Sequence, residues 1–378
     1  MMINSPKIIY FFVGSRKLRL NSSENYAKEF FYSFEYFKSK YPKIEIIEFN
    51  DVYQYSKLFK KFLYYFDKLL RKLFKFPFFM HELINKQNFT KIINSDILIL
   101  TNDRIGFSIL PIIIIKKLKS RAFLSKNVFV LGLFANLSNN NIQRFFQNRI
   151  LNFYLSSFDN FLFIGKSEYE LAINFSSKHA EKFHYIPFCV DTEFWSSSVN
   201  KKNNDILFIG NDGNRDFNMV MNIAKCLKNY KFIFVTNNIS KEEISLDNVE
   251  LVRGHWNQNI LTDTQLKEFY ERSILTIIPL KNSIQPSGQS VALQSMSMGT
   301  PVLISNTIGF WDHEKFKDNE NIFFIDKYAS NVEWSKKITE IFSDIKNLNK
   351  VSNNSKLLIK KFFNLDKFNL EMEKIIKI

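Results

Sequence analysis

The chain is poor in the residues from which metal centres and disulfide scaffolds are built. Its 378 residues include only two cysteines, Cys189 and Cys226, and neither stands in a CxxC or His-paired spacing. This scarcity argues against a zinc site, a redox centre and a disulfide framework, and it fits a reducing cytoplasm. His179, His184 and His313 show no metal-ligand spacing, and a DxD motif is absent, so we expect no metal and no other cofactor.

Long apolar runs are also missing. One of the longest, Ile109–Ile115, is far shorter than the ~20 residues that a membrane-spanning helix needs, and no signal peptide is visible. We therefore expect a cytoplasmic protein that is soluble or attached peripherally to the membrane face.

Acidic residues are scarce in one half only: residues 1–190 hold 28 Lys and Arg against 14 Asp and Glu, whereas the remainder holds 24 against 23. This asymmetry indicates two domains with different partners, one of them a polyanion or an anionic surface.

Short apolar runs alternate with helical patterns in both halves of the chain. The predicted strands are Lys7–Val13, Ile44–Phe49, Asp96–Thr101, Asn127–Leu133, Phe161–Ile164, Asp205–Ile209, Lys231–Thr236, Val249–Arg253, Leu275–Pro279 and Pro301–Ser305. Such runs are typical of parallel sheets that are buried on both faces. We predict an α/β protein of two doubly wound, Rossmann-like domains, residues 1–187 and 188–378, facing each other across a cleft. The final helix is a candidate to pack back on the first domain.

The segment Lys57–Lys75 has the clearest amphipathic pattern in the chain. Its Lys and Arg residues fall within about a third of the helical circumference, and Phe and Leu residues lie opposite. Three interpretations are open. The apolar side packs in the core below a solvated basic face, or the helix lies on an anionic membrane surface, or it binds nucleic acid. No nucleic-acid-binding motif accompanies the charge, so we expect no nucleic-acid partner.

The segment Ser283–Ser305 predicts an anion site. A strand ends at Pro279, a polar loop follows, and a helix begins near Gly288 and ends before Gly299. Its first amides, from Gly288 to Val291, have no carbonyl partners within the helix, and with the macrodipole they suit a diphosphate. Gly288 permits a close backbone approach, and the side chains of Ser287, Gln289 and Ser290 add donors. The alternative is an ordinary turn between a strand and a helix.

The sequence around this helix resembles the donor-binding signature of the GT-B-fold retaining glycosyltransferases of the large "glycosyl transferases group 1" family. Gln294–Val302 matches the family's second Glu followed by Ala-Met-Ala-x-Gly-x-Pro-Val. Ile186–Phe194 is similar to the family's interdomain turn, Ile206–Asp216 to its phosphate loop, and Val249–Trp256 to a strand and loop near the nucleotide base. These landmarks stand in the expected order over most of the C-terminal half.

The sequence departs from the family pattern at two positions. The second Glu, which in the family accepts hydrogen bonds from the donor ribose, corresponds to Gln294, and the first Glu falls on Pro286. An amide oxygen still accepts a hydrogen bond, but without the charge assistance of a carboxylate. In the loop that begins at Gly210, Arg215 is the cation that the resemblance assigns to the diphosphate.

Other candidate residues follow from the same resemblance. Gly14 and Ser15, after the first strand, are expected to bring backbone amides to the cleft. His255 and Trp256 are placed near the nucleotide base together with Gln294. Asp103, after the third strand of the first half, is a candidate cleft residue, and Asp103 and Arg215 are the candidates for a catalytic role.

The resemblance implies transfer of a sugar, with retention and without a metal, from a nucleoside-diphosphate-sugar to an acceptor. The basic first half suggests a cell-envelope glycan or a lipid-linked saccharide as that acceptor, at the cytoplasmic membrane face. Two alternatives stay open. One is a degenerate GT-B protein that binds nucleotide or glycan without turnover, and the other is a nucleotide-sugar epimerase.

Overall fold

The computed structural model describes residues 5–49, 57–119, 122–135, 137–197, 203–244, 246–254 and 261–376. Two parallel sheets of six strands each organise the chain, with strand orders β2-β1-β3-β4-β5-β6 and β12-β11-β10-β7-β8-β9. The first sheet consists of β1 Ile8–Phe12, β2 Ile44–Glu48, β3 Ile97–Leu100, β4 Ser125–Val130, β5 Asn160–Phe163 and β6 Phe183–Tyr185. The second consists of β7 Asp205–Ile209, β8 Lys231–Val235, β9 Val249–Val252, β10 Ser273–Ile278, β11 Val302–Asn306 and β12 Phe323–Asp326.

Helices cover the faces of both sheets. They are α1 Arg16–Leu20, α2 Phe34–Lys40, α3 Lys57–Phe74, α4 Met80–Leu83, α5 Lys86–Ile93, α6 Asp103–Leu118, α7 Asn141–Ser157, α8 Lys166–Phe175, α9 Phe217–Cys226, α10 Asp263–Arg272, α11 Gln289–Ser297, α12 Asn331–Ser343, α13 Ile345–Phe362 and α14 Leu365–Ile376. Two short 3₁₀ helices span Glu29–Phe31 and Ser177–Lys182.

The strands form where the chain is continuously apolar. Every residue of β1, β3 and β7 is buried, as expected for strands covered on both faces. All ten predicted strands are present with small differences at their ends, and the predicted fold class is confirmed. The edge strands β6 and β12 were not predicted, because each is only three or four residues long and carries polar residues.

The last helix lies against the first sheet rather than the second. The ring of Phe368 on α14 stacks on Phe129 of β4, with ring centroids 6.1 Å apart. The carboxylate of Glu373 accepts hydrogen bonds from the Tyr36 hydroxyl at 2.6 Å and from Lys40 Nζ at 2.7 Å. Helix α14 therefore connects the C-terminal end of the chain to the N-terminal sheet.

Helix α3 contradicts the interpretation that its whole apolar side packs in the core. Leu63 is buried, and so is Asp67, whose carboxylate accepts a hydrogen bond from the His81 backbone at 3.0 Å and lies 2.6 Å from His81 Nδ1. Most other large apolar residues of the helix are exposed, namely Leu58, Phe59, Phe62, Tyr64, Tyr65, Phe66, Leu69 and Leu73. The buried stripe is narrower than the apolar arc, because α3 is held mainly by α4 and α7 at the edge of the domain.

Candidate active site

A cavity of about 500 Å³ lies between the two domains, beyond the carboxyl ends of β1, β7 and β8. Arg16, Phe30 and Tyr32 line it from the N-terminal domain. On the opposite side it is lined by residues of the 209–215 loop and by one face of α11, formed by Ser290, Val291 and Gln294. This volume falls within the range of small-molecule sites, and carboxyl strand ends are where open α/β sheets bind ligands.

Helix α11 presents its first turn to this cavity. Gly288 occupies the N-cap with a φ of 81°, and no side chain caps the helix. A Cβ at Gly288 would lie 2.8 Å from Ile278 Cγ2 and 3.1 Å from Arg215 Nη1, so only glycine fits here. The first amides of a helix need partners from outside it, and Ser290 and Val291 of this first turn line the cavity.

Arg215 lies beside this helix end. Its side chain is 3% exposed, and Nη1 has no hydrogen-bond partner within the part of the chain that the structure describes. Nη1 lies 3.4 Å from Asp212 Oδ2, within ion-pair distance, and Nε donates to the Ile209 carbonyl at 3.3 Å. Burial lowers the pKa of the guanidinium, which Asp212 partly offsets. A buried cation with an unused N–H group beside uncapped amides favours an anionic ligand.

Gly210 serves this arginine by leaving space for it. A Cβ at Gly210 would lie 2.2 Å from Arg215 Nε, and the Gly210 amide already donates to the Val235 carbonyl at 3.2 Å. Among the residues predicted to bind the diphosphate, Gly210, Arg215, Ser290 and Val291 line the cavity.

Ser287 and Gln289 point elsewhere. The Ser287 hydroxyl accepts a hydrogen bond from Asn214 Nδ2 at 2.8 Å, which fixes the loop before α11. The Gln289 side-chain amide donates to the Ile164 carbonyl of the N-terminal domain at 3.0 Å. Gln289 therefore connects the two domains, Ser287 fixes a loop within the C-terminal domain, and neither residue lines the cavity.

The predicted Gly14–Ser15 turn contributes through the residue that follows it. Gly14 and Ser15 have φ values of 154° and 64°, and they lead directly into α1. Arg16, the first residue of that helix, lines the cavity, and its Nη1 donates to the Gly14 carbonyl at 2.7 Å. Burial lowers the pKa of Arg16 to about 10, so it stays charged at neutral pH. The signal that could have revealed this second cation is its position two residues after the glycine of the first strand's turn.

Gln294 lies one turn further along the same face of α11, as its predicted role requires, but it is already hydrogen-bonded. Its Oε1 accepts from the Tyr270 hydroxyl at 3.0 Å, and its Nε2 donates to Glu29 Oε1 at 2.8 Å. Glu29 belongs to the N-terminal domain and is 1% exposed, and burial raises its pKa to about 7. Sequence reasoning missed Glu29, because nothing local marks it.

Asp103 is not brought together with Arg215. It lines a different cavity, within the N-terminal domain, next to Arg104 and Gly132. Its Oδ2 accepts from the Leu131 amide at 3.1 Å, and burial raises the pKa of the carboxyl well above its usual value. A buried carboxyl at the start of α6, in a separate cavity, fits a structural group better than a partner of Arg215.

Glu168 is a second buried carboxylate that sequence reasoning missed. It accepts from the amides of Gly132 at 2.9 Å and Phe134 at 3.2 Å, and burial raises its pKa to about 7. It thereby fixes the loop after β4, where Gly132 lies so close to Gln285 that a Cβ there would be 3.1 Å from Oε1. This loop forms the N-terminal side of the cleft opposite the 283–287 loop.

His255 and Trp256, predicted to lie near the nucleotide base, fall outside the described residues. Among the residues that are described, no group of three or more His, Cys, Asp or Glu side chains is arranged to hold a metal ion. The expectation of a metal-independent reaction stays a prediction.

Within the described ranges, no helix has the length and apolar character needed to cross a bilayer.

Known structures share this architecture over nearly the whole chain. HepE from Anabaena, solved with UDP-glucose, has a TM-score of 0.65 at 13% identity over 98% of this chain and 99% of that one. Sucrose-phosphate synthase from Thermosynechococcus elongatus has a TM-score of 0.63 at 12% identity, over 98% of both chains. A glycosyltransferase from Rickettsia africae has a TM-score of 0.61 at 12% identity, over 98% of this chain and 89% of its own.

Curated protein sequences give no match to the chain. The family model described as "Glycosyl transferases group 1" matches residues 190–358, which include α11, Arg215 and Gln294. The match therefore falls on the domain that supplies the uncapped helix and the buried arginine. Residues 190–358 are thus similar to the glycosyl transferases group 1 family, and the two domains of the chain have the GT-B fold.

Proposed function

We propose that the chain transfers a sugar, with retention, from a nucleoside-diphosphate-sugar in the interdomain cavity to a glycan or lipid-linked acceptor at a membrane. One observation carries this proposal. The uncapped first turn of α11 and the unused Nη1 of Arg215 converge on the same cavity, which lies between the two domains. The match of residues 190–358 to the glycosyl transferases group 1 model and the GT-B fold support glycosyl transfer from a nucleotide sugar.

Glycosyl transfer from a nucleoside-diphosphate-sugar requires stabilisation of the departing diphosphate. As the bond from the sugar carbon to the phosphate oxygen breaks, negative charge grows on that oxygen. The amides of Ser290 and Val291 and the guanidinium of Arg215 are fixed before the reaction and need no reorganisation. Donors of this kind stabilise the transition state more than the ground state, especially in a site that excludes water.

Several contacts join the two domains across the cleft. Arg19 of α1 and Asp263 of α10 form a buried ion pair at 2.7 Å. Pro286 packs on Gly165, where an added Cβ would lie 3.0 Å from the proline ring, and Gln289 reaches Ile164. The two domains are therefore in direct contact beside the cavity, an arrangement that would hold a donor and an acceptor together.

Direct binding tests the donor site. HepE was solved with UDP and with UDP-glucose, so UDP is the first probe, with GDP and ADP beside it. We expect UDP or GDP to raise the thermal midpoint, because a ligand of the native state stabilises by RT ln(1 + [L]/Kd). Arg215→Gln should weaken the response strongly, whereas Arg272→Gln, an arginine ion-paired away from the cavity, should not. The proposal is wrong if no nucleoside diphosphate binds the wild-type protein.

The acceptor side of the proposal rests on the surface of α3 and α7. Exposed Phe and Leu residues on α3 are joined by exposed apolar residues on the neighbouring α7, namely Ile142, Phe145, Phe146 and Phe153. Basic residues are interleaved with them, and Asp67, the single acidic residue of the two helices, is buried. An amphipathic surface of this composition fits an anionic bilayer, to which each Lys or Arg adds about 1 kcal/mol.

A bilayer explains this surface better than a second copy of the chain. Two copies facing each other through α3 and α7 would bring basic residues together without any exposed carboxylate to pair with them. Anionic headgroups supply that charge, and the acyl boundary accepts side chains such as Phe62, which is 64% exposed. A membrane-bound enzyme of this kind would meet a lipid-linked acceptor at the headgroup level.

Vesicle sedimentation tests the membrane surface. We expect binding to phosphatidylcholine vesicles that contain phosphatidylglycerol, and much weaker binding to pure phosphatidylcholine. The double variant Phe62→Ser/Phe66→Ser should lose this binding and keep its response to UDP. Tyr328→Ser/Val332→Ser removes exposed apolar residues from the C-terminal domain and serves as the matched control. Equal binding to neutral and anionic vesicles would remove the basis of this part of the proposal.

A binding protein without turnover is the second candidate. It is favoured by Gln294, whose amide is occupied by Tyr270 and Glu29 in place of the carboxylate that the family resemblance assigns to this position. Slow hydrolysis of the nucleotide sugar in the absence of acceptor separates the two candidates. An enzyme releases UDP over hours, and a binding protein leaves the donor intact.

A further inference from the structure

Glu29 lies in the N-terminal domain, but its carboxylate accepts hydrogen bonds from three groups of the C-terminal half. Its Oε1 accepts from Gln294 Nε2 at 2.8 Å and from Trp195 Nε1 at 2.7 Å, and its Oε2 accepts from the Asp191 amide at 3.2 Å. Glu29 is almost fully buried and does not line the cavity. Glu29 can therefore affect a ligand in the cavity only indirectly, and Gln294 is the cavity-lining residue that it contacts.

Gln294 lies on the face of α11 that the cavity exposes. Gln294 follows residues 290 and 291 by about one helical turn and lines the cavity with them. It therefore lies next to the site proposed for the phosphates, but further from the N-terminal end of α11. In a nucleotide, the group next to the phosphates is the ribose. The Gln294 amide is therefore placed to contact ribose hydroxyls.

Two hydrogen bonds determine which way this amide points. A side-chain amide has two N–H groups and an oxygen with two lone pairs, and its two orientations are normally similar in energy. Here the Glu29 carboxylate requires an N–H group, and the Tyr270 hydroxyl donates to the oxygen. One N–H and one lone pair of Gln294 are left over. A ribose diol offers both a donor and an acceptor, so it matches this pair.

We propose that Glu29 is a positioning residue for nucleotide binding, which fixes the Gln294 amide so that it recognises the ribose of the donor. This inference rests on the proposed donor site. It assigns to the N-terminal domain a carboxylate that acts on the nucleoside without touching it. Because Glu29 forms this contact only when the domains are together, ribose recognition is coupled to closure of the cleft.

The test compares two probes that occupy different parts of the cavity, inorganic pyrophosphate and UDP, by calorimetry. We expect Glu29→Leu to weaken UDP binding about tenfold or more and to leave pyrophosphate binding unchanged, because leucine cannot accept the Gln294 hydrogen bond and only the ribose contact is disturbed. Glu373→Gln removes another carboxylate that joins the domains, away from the cavity, and should change neither. In turnover, the loss should fall on the donor KM rather than on kcat.

The conservative variant Glu29→Gln separates positioning from loss of the charge. Its amide oxygen can take the place of Oε1 and accept from both Gln294 Nε2 and Trp195 Nε1. We expect this variant to keep most of the UDP affinity. If Glu29→Leu does not fold, Glu29→Met replaces it and should show the same selective loss of UDP over pyrophosphate.

Three results overturn the inference: unchanged UDP affinity in Glu29→Leu, an equal loss for both probes in that variant, or the same loss of UDP affinity in Glu29→Gln. If the wild-type protein binds neither probe, the proposed donor site fails and the inference fails with it. If the wild type binds both and Glu29→Leu behaves like the wild type, the inference alone is wrong.

Discussion

Arg16 and Arg215 line one cavity from opposite domains, and each guanidinium donates to a backbone carbonyl of its own loop. Arg16 Nη1 reaches the Gly14 carbonyl at 2.7 Å, and Arg215 Nε reaches the Ile209 carbonyl at 3.3 Å. Burial lowers the pKa of both residues, because each guanidinium is poorly solvated where it lies. A bound diphosphate would compensate both charges at once, and it would draw the two domains together.

Arg16→Ala should reduce affinity for the phosphates and leave the nucleoside contact in place. A charge-assisted hydrogen bond contributes about 1.5–3 kcal/mol, so we expect UDP to bind roughly 10- to 100-fold more weakly. Uridine, which has no phosphates, is the matched ligand and should bind the variant and the wild type alike. Isothermal titration of both ligands measures the difference. An equal loss for UDP and uridine would show that Arg16 acts through the fold alone.

Gly288→Ala should damage both stability and nucleotide binding. Its φ of 81° is unfavourable for alanine by about 1–2 kcal/mol, and the added Cβ would meet Ile278 at 2.8 Å and Arg215 at 3.1 Å. The matched control is Gly213→Ala, where an added Cβ meets nothing within 4 Å. Urea unfolding and UDP titration of both variants check the prediction. It fails if the two alanine variants behave alike.

Glu168 should make the stability of the chain depend on pH between about 5 and 8. Burial raises the pKa of this carboxyl to about 7, above its ordinary value, so the folded state keeps a proton that the unfolded state releases. The stabilisation is fully present below pH ~4.5 and is lost as the pH rises through 7. The wild type should therefore lose of order 3 kcal/mol relative to Glu168→Gln between pH 5 and 8.

Urea unfolding at several pH values tests this dependence. Glu170→Gln changes an exposed carboxylate on the same helix and should follow the wild type across the whole range. A constant difference between wild type and Glu168→Gln from pH 5 to pH 8 would contradict the prediction. Subtracting the two curves cancels the titration of all other groups whose environments are unchanged.

Most strands of both sheets could be predicted from sequence, because a strand buried on two faces is apolar along its whole length. The start of α11 could also be predicted, since Gly288 and Gly299 mark its two ends. For Lys57–Lys75, the interpretation that its apolar side packs in the core, one of three left open, does not fit the structure, because most large apolar residues of the helix are exposed. Its periodicity shows only that one side is apolar, and burial depends on what the rest of the fold places against it.

The residues missed at the site are those that act across the domain boundary. Glu29 and Gln294 are separated by 265 residues in sequence, and neither lies in a pattern that points to the other. Arg16 follows the predicted Gly14–Ser15 turn, but the sequence does not show that its charge faces the phosphate site of the other domain. Asp103 was proposed for the cleft from its place after β3, which does not distinguish a side chain facing the cavity from one buried beneath the loop.

The most direct test of the donor site is a crystal structure of the protein with UDP bound. We predict that the phosphate oxygens lie within hydrogen-bond distance of the Ser290 and Val291 amides and of Arg215 Nη1, with the ribose hydroxyls at the Gln294 amide. Phosphates bound anywhere else on the chain, or directed away from the first turn of α11, would contradict the account.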